Sequence, residues 1–112
     1  MSKLFPPQIE GTIPAFYGNQ LVVPFAMNKT VSWNEISGFA VKIKNIQNNS
    51  LVTLLQITDN KKYDKQNLKA YFDLDVSLNV GNFYKLQMAY IDINGNYGHY
   101  STVGVVKYTK EP

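Results

Sequence analysis

The sequence predicts an all-β protein, a single antiparallel sandwich of seven strands. Three observations point there. Residues 78–101, LNVGNFYKLQMAYIDINGNYGHYS, hold two Tyr-rich alternating stretches joined by Asn94-Gly95, the pattern of a long hairpin. Residues 71–78 alternate with a period of two: Phe72, Leu74, Val76 and Leu78 inward, Tyr71, Asp73, Asp75 and Ser77 outward. Turn residues recur at short, regular spacing, and no stretch carries a convincing helical pattern.

Each element follows in order. Residues 1–8 read as an extended arm, because Pro6-Pro7 forbids helix. Residues 9–16 form a first edge strand that tolerates Pro14. Tyr17-Gly18-Asn19-Gln20 is a turn. Leu21, Val23 and Phe25 then line one face of a second strand. Pro24 cannot donate to a ladder, so this strand has either a bulge or one open side. Residues 28–37 are loop-like around Val31, Trp33 and Ile36. Gly38 opens a third strand with Phe39, Val41 and Ile43 inward and Ala40, Lys42 and Lys44 outward. Asn48-Asn49-Ser50 turns the chain into a fourth strand at 51–58. Residues 59–68 make a charged loop or one short helical turn. Residues 71–78, 83–93 and 97–108 are the last three strands, with a type I′ turn at Asn94-Gly95. Residues 109–112 are a frayed tail or a linker stub. The domain proper therefore spans 9–108.

Bulk properties narrow the function classes. A chain of 112 residues forms one domain, and one this long buries about two-thirds of the surface its unfolded form exposes. There is no cysteine, which excludes disulfides and thiolate metal sites. The formal charge is +3, every basic residue is Lys, and Lys61-Lys62 is the only adjacent pair. Nucleic-acid binders concentrate charge and use Arg for bidentate contacts, so nucleic acid is not the expected partner. No apolar run approaches the ~20 residues of a membrane helix, and MSKLFPPQIEG lacks the apolar core of a secretory leader. Neither a membrane nor an N-terminal export route is expected.

Three stretches carry a family resemblance. Ile36-Ser37-Gly38-Phe39-Ala40-Val41 is similar to the start of the third strand of fibronectin type III domains. Residues 78–84, LNVGNFY, resemble their Leu-x-Pro-Gly-x-x-Tyr corner, with Val80 in place of Pro. Gly95 to Ser101 resembles the Gly-x-Gly-x-x-Ser link into the last strand, one residue longer. Phe25 stands where the second strand of the family usually ends in Trp. The resemblance covers about Gly18 to Tyr108 and implies an immunoglobulin-like sandwich in which Tyr84 packs in the core and bonds backbone of the preceding turn. It implies no particular function. The opening, PPQIEGTIPAFYGNQLVVPFAMNKTVS, separately resembles N-terminal modules of structural proteins in tailed-phage virions. That implies assembly in the host cytoplasm and residence in the virion.

No catalytic, cofactor or metal site emerges. His99 is the one histidine, no strained nucleophile turn is present, and a solvated edge position explains it. Asp73 and Asp75 would lie about 7 Å apart on an outer strand face, where charge discourages unwanted pairing. Asp92-x-Asn94-x-Asn96 echoes half a calcium loop, but Tyr97 stands where Gly is required and no closing Glu follows. Aromatic residues are the better lead. Tyr17, Tyr63, Tyr71, Tyr97, Tyr100 and Trp33 fall on outward or loop positions, as interface anchors do. Strand propensity, or Trp33 acting as a lid on the sandwich, explains them equally.

These readings favour a non-catalytic module of a phage particle: an adaptor, decoration or fibre-attachment domain present in many copies. Its interaction surface would comprise Leu4, Phe5, Pro6, Pro7, Tyr17, Trp33, Tyr97 and Tyr100, and its partners would be other virion structural proteins. Two alternatives stand beside it. One is a carbohydrate- or cell-surface-binding module with a host-surface glycan on Trp33. The other is an accessory domain whose partner is the remainder of a larger chain.

Overall fold

The computed structural model describes residues 3–8 and 13–109. Residues 9–12 of the expected first strand lie outside that description, as do residues 1–2 of the arm and 110–112 of the tail. Eight strands follow among the described residues: β1 (Ala15–Tyr17), β2 (Gln20–Pro24), β3 (Ile36–Asn45), β4 (Leu51–Ile57), β5 (Tyr63–Asp64), β6 (Lys69–Asp73), β7 (Phe83–Asp92) and β8 (Ser101–Lys107). They form two antiparallel four-stranded sheets, ordered β1-β2-β6-β5 and β4-β3-β7-β8. The two sheets face each other as a β-sandwich.

The alternation read from the sequence positions the core. Leu21 and Val23 of β2, Phe39, Val41 and Ile43 of β3, Phe72 of β6, and Leu86, Met88 and Tyr90 of β7 are fully buried. Each such side chain contributes about 1.5–3 kcal/mol of transfer free energy. Aromatic rings gather on one side of this core. Phe39 lies 4.8 Å from Phe25, 5.0 Å from Tyr63, 5.6 Å from Tyr90 and 6.2 Å from Trp33, measured between ring centroids. Among the described residues the β1 ladder stops at Ala15↔Val22, and Val23 and Pro24 pair with β6 alone.

Tyr84 is 2% exposed, and its hydroxyl accepts the Asn79 backbone N–H at 2.9 Å. This is the corner contact that the family resemblance implies. Tyr84→Phe keeps the ring and strands that N–H, and is expected to cost about 1 kcal/mol. A lowered urea midpoint with an unchanged slope checks it.

Four expectations are corrected. The strand expected over 71–78 ends at Asp73, because β2 offers no partner beyond Gln20↔Asp73 and the Leu74 N–H turns to Asn19 O at 2.8 Å. Val76 consequently stands 37% exposed instead of inward, and Leu74 is half-buried against the core. The Asn94-Gly95 turn is not type I′. Only Gly95 has positive φ, +84°, because Asp92 Oδ1 accepts the N–H groups of Asn94 and Asn96 and holds the turn in another geometry. The last strand begins at Ser101, since Tyr97 makes only an isolated bridge to Ile91 before the chain leaves the ladder. Finally, residues 59–68 hold a 3₁₀ turn (Asn60–Lys62) followed by β5, which raises the strand count from seven to eight.

Candidate functional site

The end of the sandwich that holds the opening residues is built outward from Tyr90. Its buried hydroxyl accepts the Asn28 N–H at 2.9 Å and donates to Met27 Sδ at 3.5 Å. Burial pushes the Tyr90 hydroxyl pKa up, opposed by the Asn28 bond, so the group stays a neutral donor well above neutral pH. Asn28 then ties three segments together. Its Nδ2 donates to Pro6 O at 3.0 Å, while its Oδ1 accepts from the N–H and Oγ1 of Thr30 at 3.0 and 2.7 Å.

Residues 3–8 are held from both sheets. Gln8 and Ala26 exchange backbone bonds of 2.9 Å each, on the side of β2. On the side of β8, Leu4 O accepts the His99 N–H at 3.0 Å and Pro7 O accepts Ser101 Oγ at 2.6 Å. Prolines suit this path because they lack an N–H to satisfy, while their carbonyls remain acceptors. Gly98 makes the approach possible, since a Cβ there would sit 2.8 Å from Leu4 O.

Docking of the arm divides its side chains. Pro7 is buried, Leu4 and Pro6 are half-buried, and Phe5 stands 57% exposed with its ring stacked over His99 at 6.3 Å. Beside Phe5 opens a cleft of about 490 Å³. Leu4, Phe5, Val31 and Ile93 form its apolar lining, and Lys3, Glu35 and Asp92 stand among them. Ile93, at the tip of the β7–β8 turn, is 66% exposed. Both carboxylates hold turns: Glu35 accepts the Ser32 N–H at 2.9 Å, and Asp92 accepts the two N–H groups of its own turn. The cleft therefore offers apolar surface, with Lys3, Thr30 and Asn94 as its remaining polar lining.

The remaining candidates are dispersed. Tyr17 is 53% exposed, but it lies at the end of β2 away from Asn28. Tyr97 and Tyr100 lie over the outer face of the β4-β3-β7-β8 sheet. The Tyr97 hydroxyl donates to Gln56 Oε1 on β4, and the Lys42 amine sits 4.1 Å from the Tyr100 ring centroid. Beneath them the register pairs Ala40 with Ala89, both fully buried, small enough to leave room for the rings. The Tyr100 hydroxyl is buried without a hydrogen-bond partner among the described residues, and this burial raises its pKa, with Tyr97 adding to the shift. Trp33 sits in a 3₁₀ turn, stacked on Tyr63 at 5.8 Å and edge-on to Phe25 and Phe39, with the Lys65 amine 5.3 Å from its ring. That is the lid arrangement.

Asp73 and Asp75 do not face each other as a pair. Asp73 meets Lys62 Nζ at 3.2 Å, and Asp75 accepts Thr53 Oγ1 at 2.7 Å. Among the described residues no group of three or more His, Asp or Glu side chains is placed to hold a metal ion. Of the interaction-surface residues singled out from the sequence, Leu4 and Phe5 line this cleft, whereas Asn28, Val31, Ile93 and Gly98 were not among them. Only Ile93, an isoleucine inside an Asn-Gly turn, carried a local signal. The chain matches no known family model, and no curated protein sequence matches it.

Proposed function

We propose that this chain is a non-catalytic structural module of a phage particle that docks neighbouring subunits through the cleft end. In this reading the sandwich is immunoglobulin-like, of the fibronectin type III kind. The buried corner tyrosine Tyr84 and the sheet orders support that finer class. The observation that carries the docking function is the pair Phe5 and Ile93, 57% and 66% exposed around an apolar cleft. Large apolar side chains held outward on a fixed frame are what protein interfaces bury at their centres. The virion assignment rests on the resemblance of the opening segment. Many copies on a lattice would let each contact be weak, because neighbouring contacts raise the effective concentration.

Mass spectrometry of purified particles tests this directly. The chain should be present at a copy number stoichiometric with other structural proteins, and particles lacking it would overturn the reading. The double substitution Phe5→Ser, Ile93→Ser is expected to lower incorporation about tenfold or more while leaving the urea midpoint nearly unchanged. Full incorporation of that variant would move the docking surface elsewhere.

A further inference from the structure

Each sheet ends in two edge strands, and three of the four are guarded. β1 has three residues and β5 has two. β8 is flanked by the opening segment, through Pro7 on Ser101 and Pro14 against Gly104. β4 is different. Its seven residues, LVTLLQI, include no charge, proline or glycine, the devices that keep an edge from pairing. Among the described residues, its backbone pairs with β3 alone. Leu51 and Leu54 stand 52% and 39% exposed along it.

We propose that β4 is a self-association edge, whose occupant is β4 of a second copy of this chain, paired antiparallel about a two-fold axis at Leu54. This surface is separate from the cleft and does not rest on the docking function above. The strand is complementary to itself. Pairing about Leu54 sets Leu54 against its own copy, Val52 against Gln56, and Thr53 against Leu55, so no charge meets a charge. No residue of β4 itself is charged, and the Asp75 carboxylate beside it is engaged by Thr53 Oγ1 at 2.7 Å. The outward lysine nearest the seam is Lys42, beside Leu54 on β3. Two copies of Lys42 would stand three strand spacings apart, about 14 Å, beyond the roughly 8 Å screening length at physiological salt. Among the described residues each chain has one such edge, so the pairing closes at two copies.

The test is sedimentation equilibrium of the full chain from micromolar to submillimolar concentration. Wild type is expected to form a dimer. Leu54→Lys puts like charges opposite each other at the axis and should weaken dimerisation about tenfold or more. Leu54 is outward-facing, so the variant should keep the wild-type circular dichroism spectrum. Leu54→Glu should dissociate in the same way, and mixing the two variants should restore a heterodimer. A wild type that stays monomeric throughout overturns the proposal. So does a Leu54→Lys dimer of undiminished affinity, or a mixture of the two variants that fails to associate.

Discussion

Phe39→Ala is expected to lose about 3–5 kcal/mol of folding stability, the range for truncating a buried phenylalanine. Phe39 is fully buried on the central strand β3, and four aromatic rings lie within 6.2 Å of its centroid. Truncation removes the transfer free energy of the ring and leaves a cavity whose walls come from both sheets. Phe25 and Tyr63 belong to one layer, and Tyr90 to the other, so neither layer can collapse into the gap without shifting its strands. Edge and tilted contacts between the rings add to the loss. Domains of this size are stable by about 5–15 kcal/mol, so this change alone brings the protein near its folding threshold. Trp33, the single tryptophan, packs edge-on to Phe39 and reports the transition by fluorescence during urea unfolding. An unchanged midpoint would show that the aromatic cluster is not what holds this end together.

Gly38→Ala is expected to cost about 3 kcal/mol, at the upper end of the usual overpacking range. The reason is space and not backbone conformation, because Gly38 has no positive φ. A Cβ at this position would lie 1.9 Å from Ile57 O, with Ile57 C and Thr58 Cα 3.0 and 3.1 Å away. All three are backbone atoms, so no side-chain rotation relieves the clash. The β3 and β4 strands must separate at the Phe39↔Ile57 pair. Gly18→Ala supplies the contrast: nothing lies within 4 Å of its Cβ, and only the +59° φ is penalised, at about 1 kcal/mol. Urea midpoints rank the two, and faster amide exchange at Ile57 and Thr58 in Gly38→Ala locates the separation. Equal costs for the two variants would falsify the steric account.

Much of the sandwich was legible where the alternation was long. Phe39, Val41 and Ile43 point inward because a strand turns alternate residues to one side, and that rule holds for any strand. The end of β6 was not legible, since residues 74–78 keep the alternating pattern after the chain has left its partner. Pattern records which face is greasy; it does not record whether a neighbouring strand is there to bond. The Asn94-Gly95 turn failed for a related reason. The dipeptide allows two positive-φ residues, but the Asp92 side chain two positions earlier captured the turn's N–H groups first.

For the candidate site, the sequence by itself determined that no helix runs through Pro6-Pro7, because proline's ring fixes φ and removes a donor whatever surrounds it. The family resemblance also implied a backbone contact for Tyr84, whose partner Asn79 is five residues away. Only the tertiary structure decided where the arm lies and which side chain it leaves outside. Those outcomes depend on Asn28 reaching Pro6 across 22 residues and Ser101 reaching Pro7 across 94. Local geometry is set by neighbours along the chain and can be read from them. A contact between distant segments exists only once two packed layers bring them together, and no short stretch of sequence carries that information.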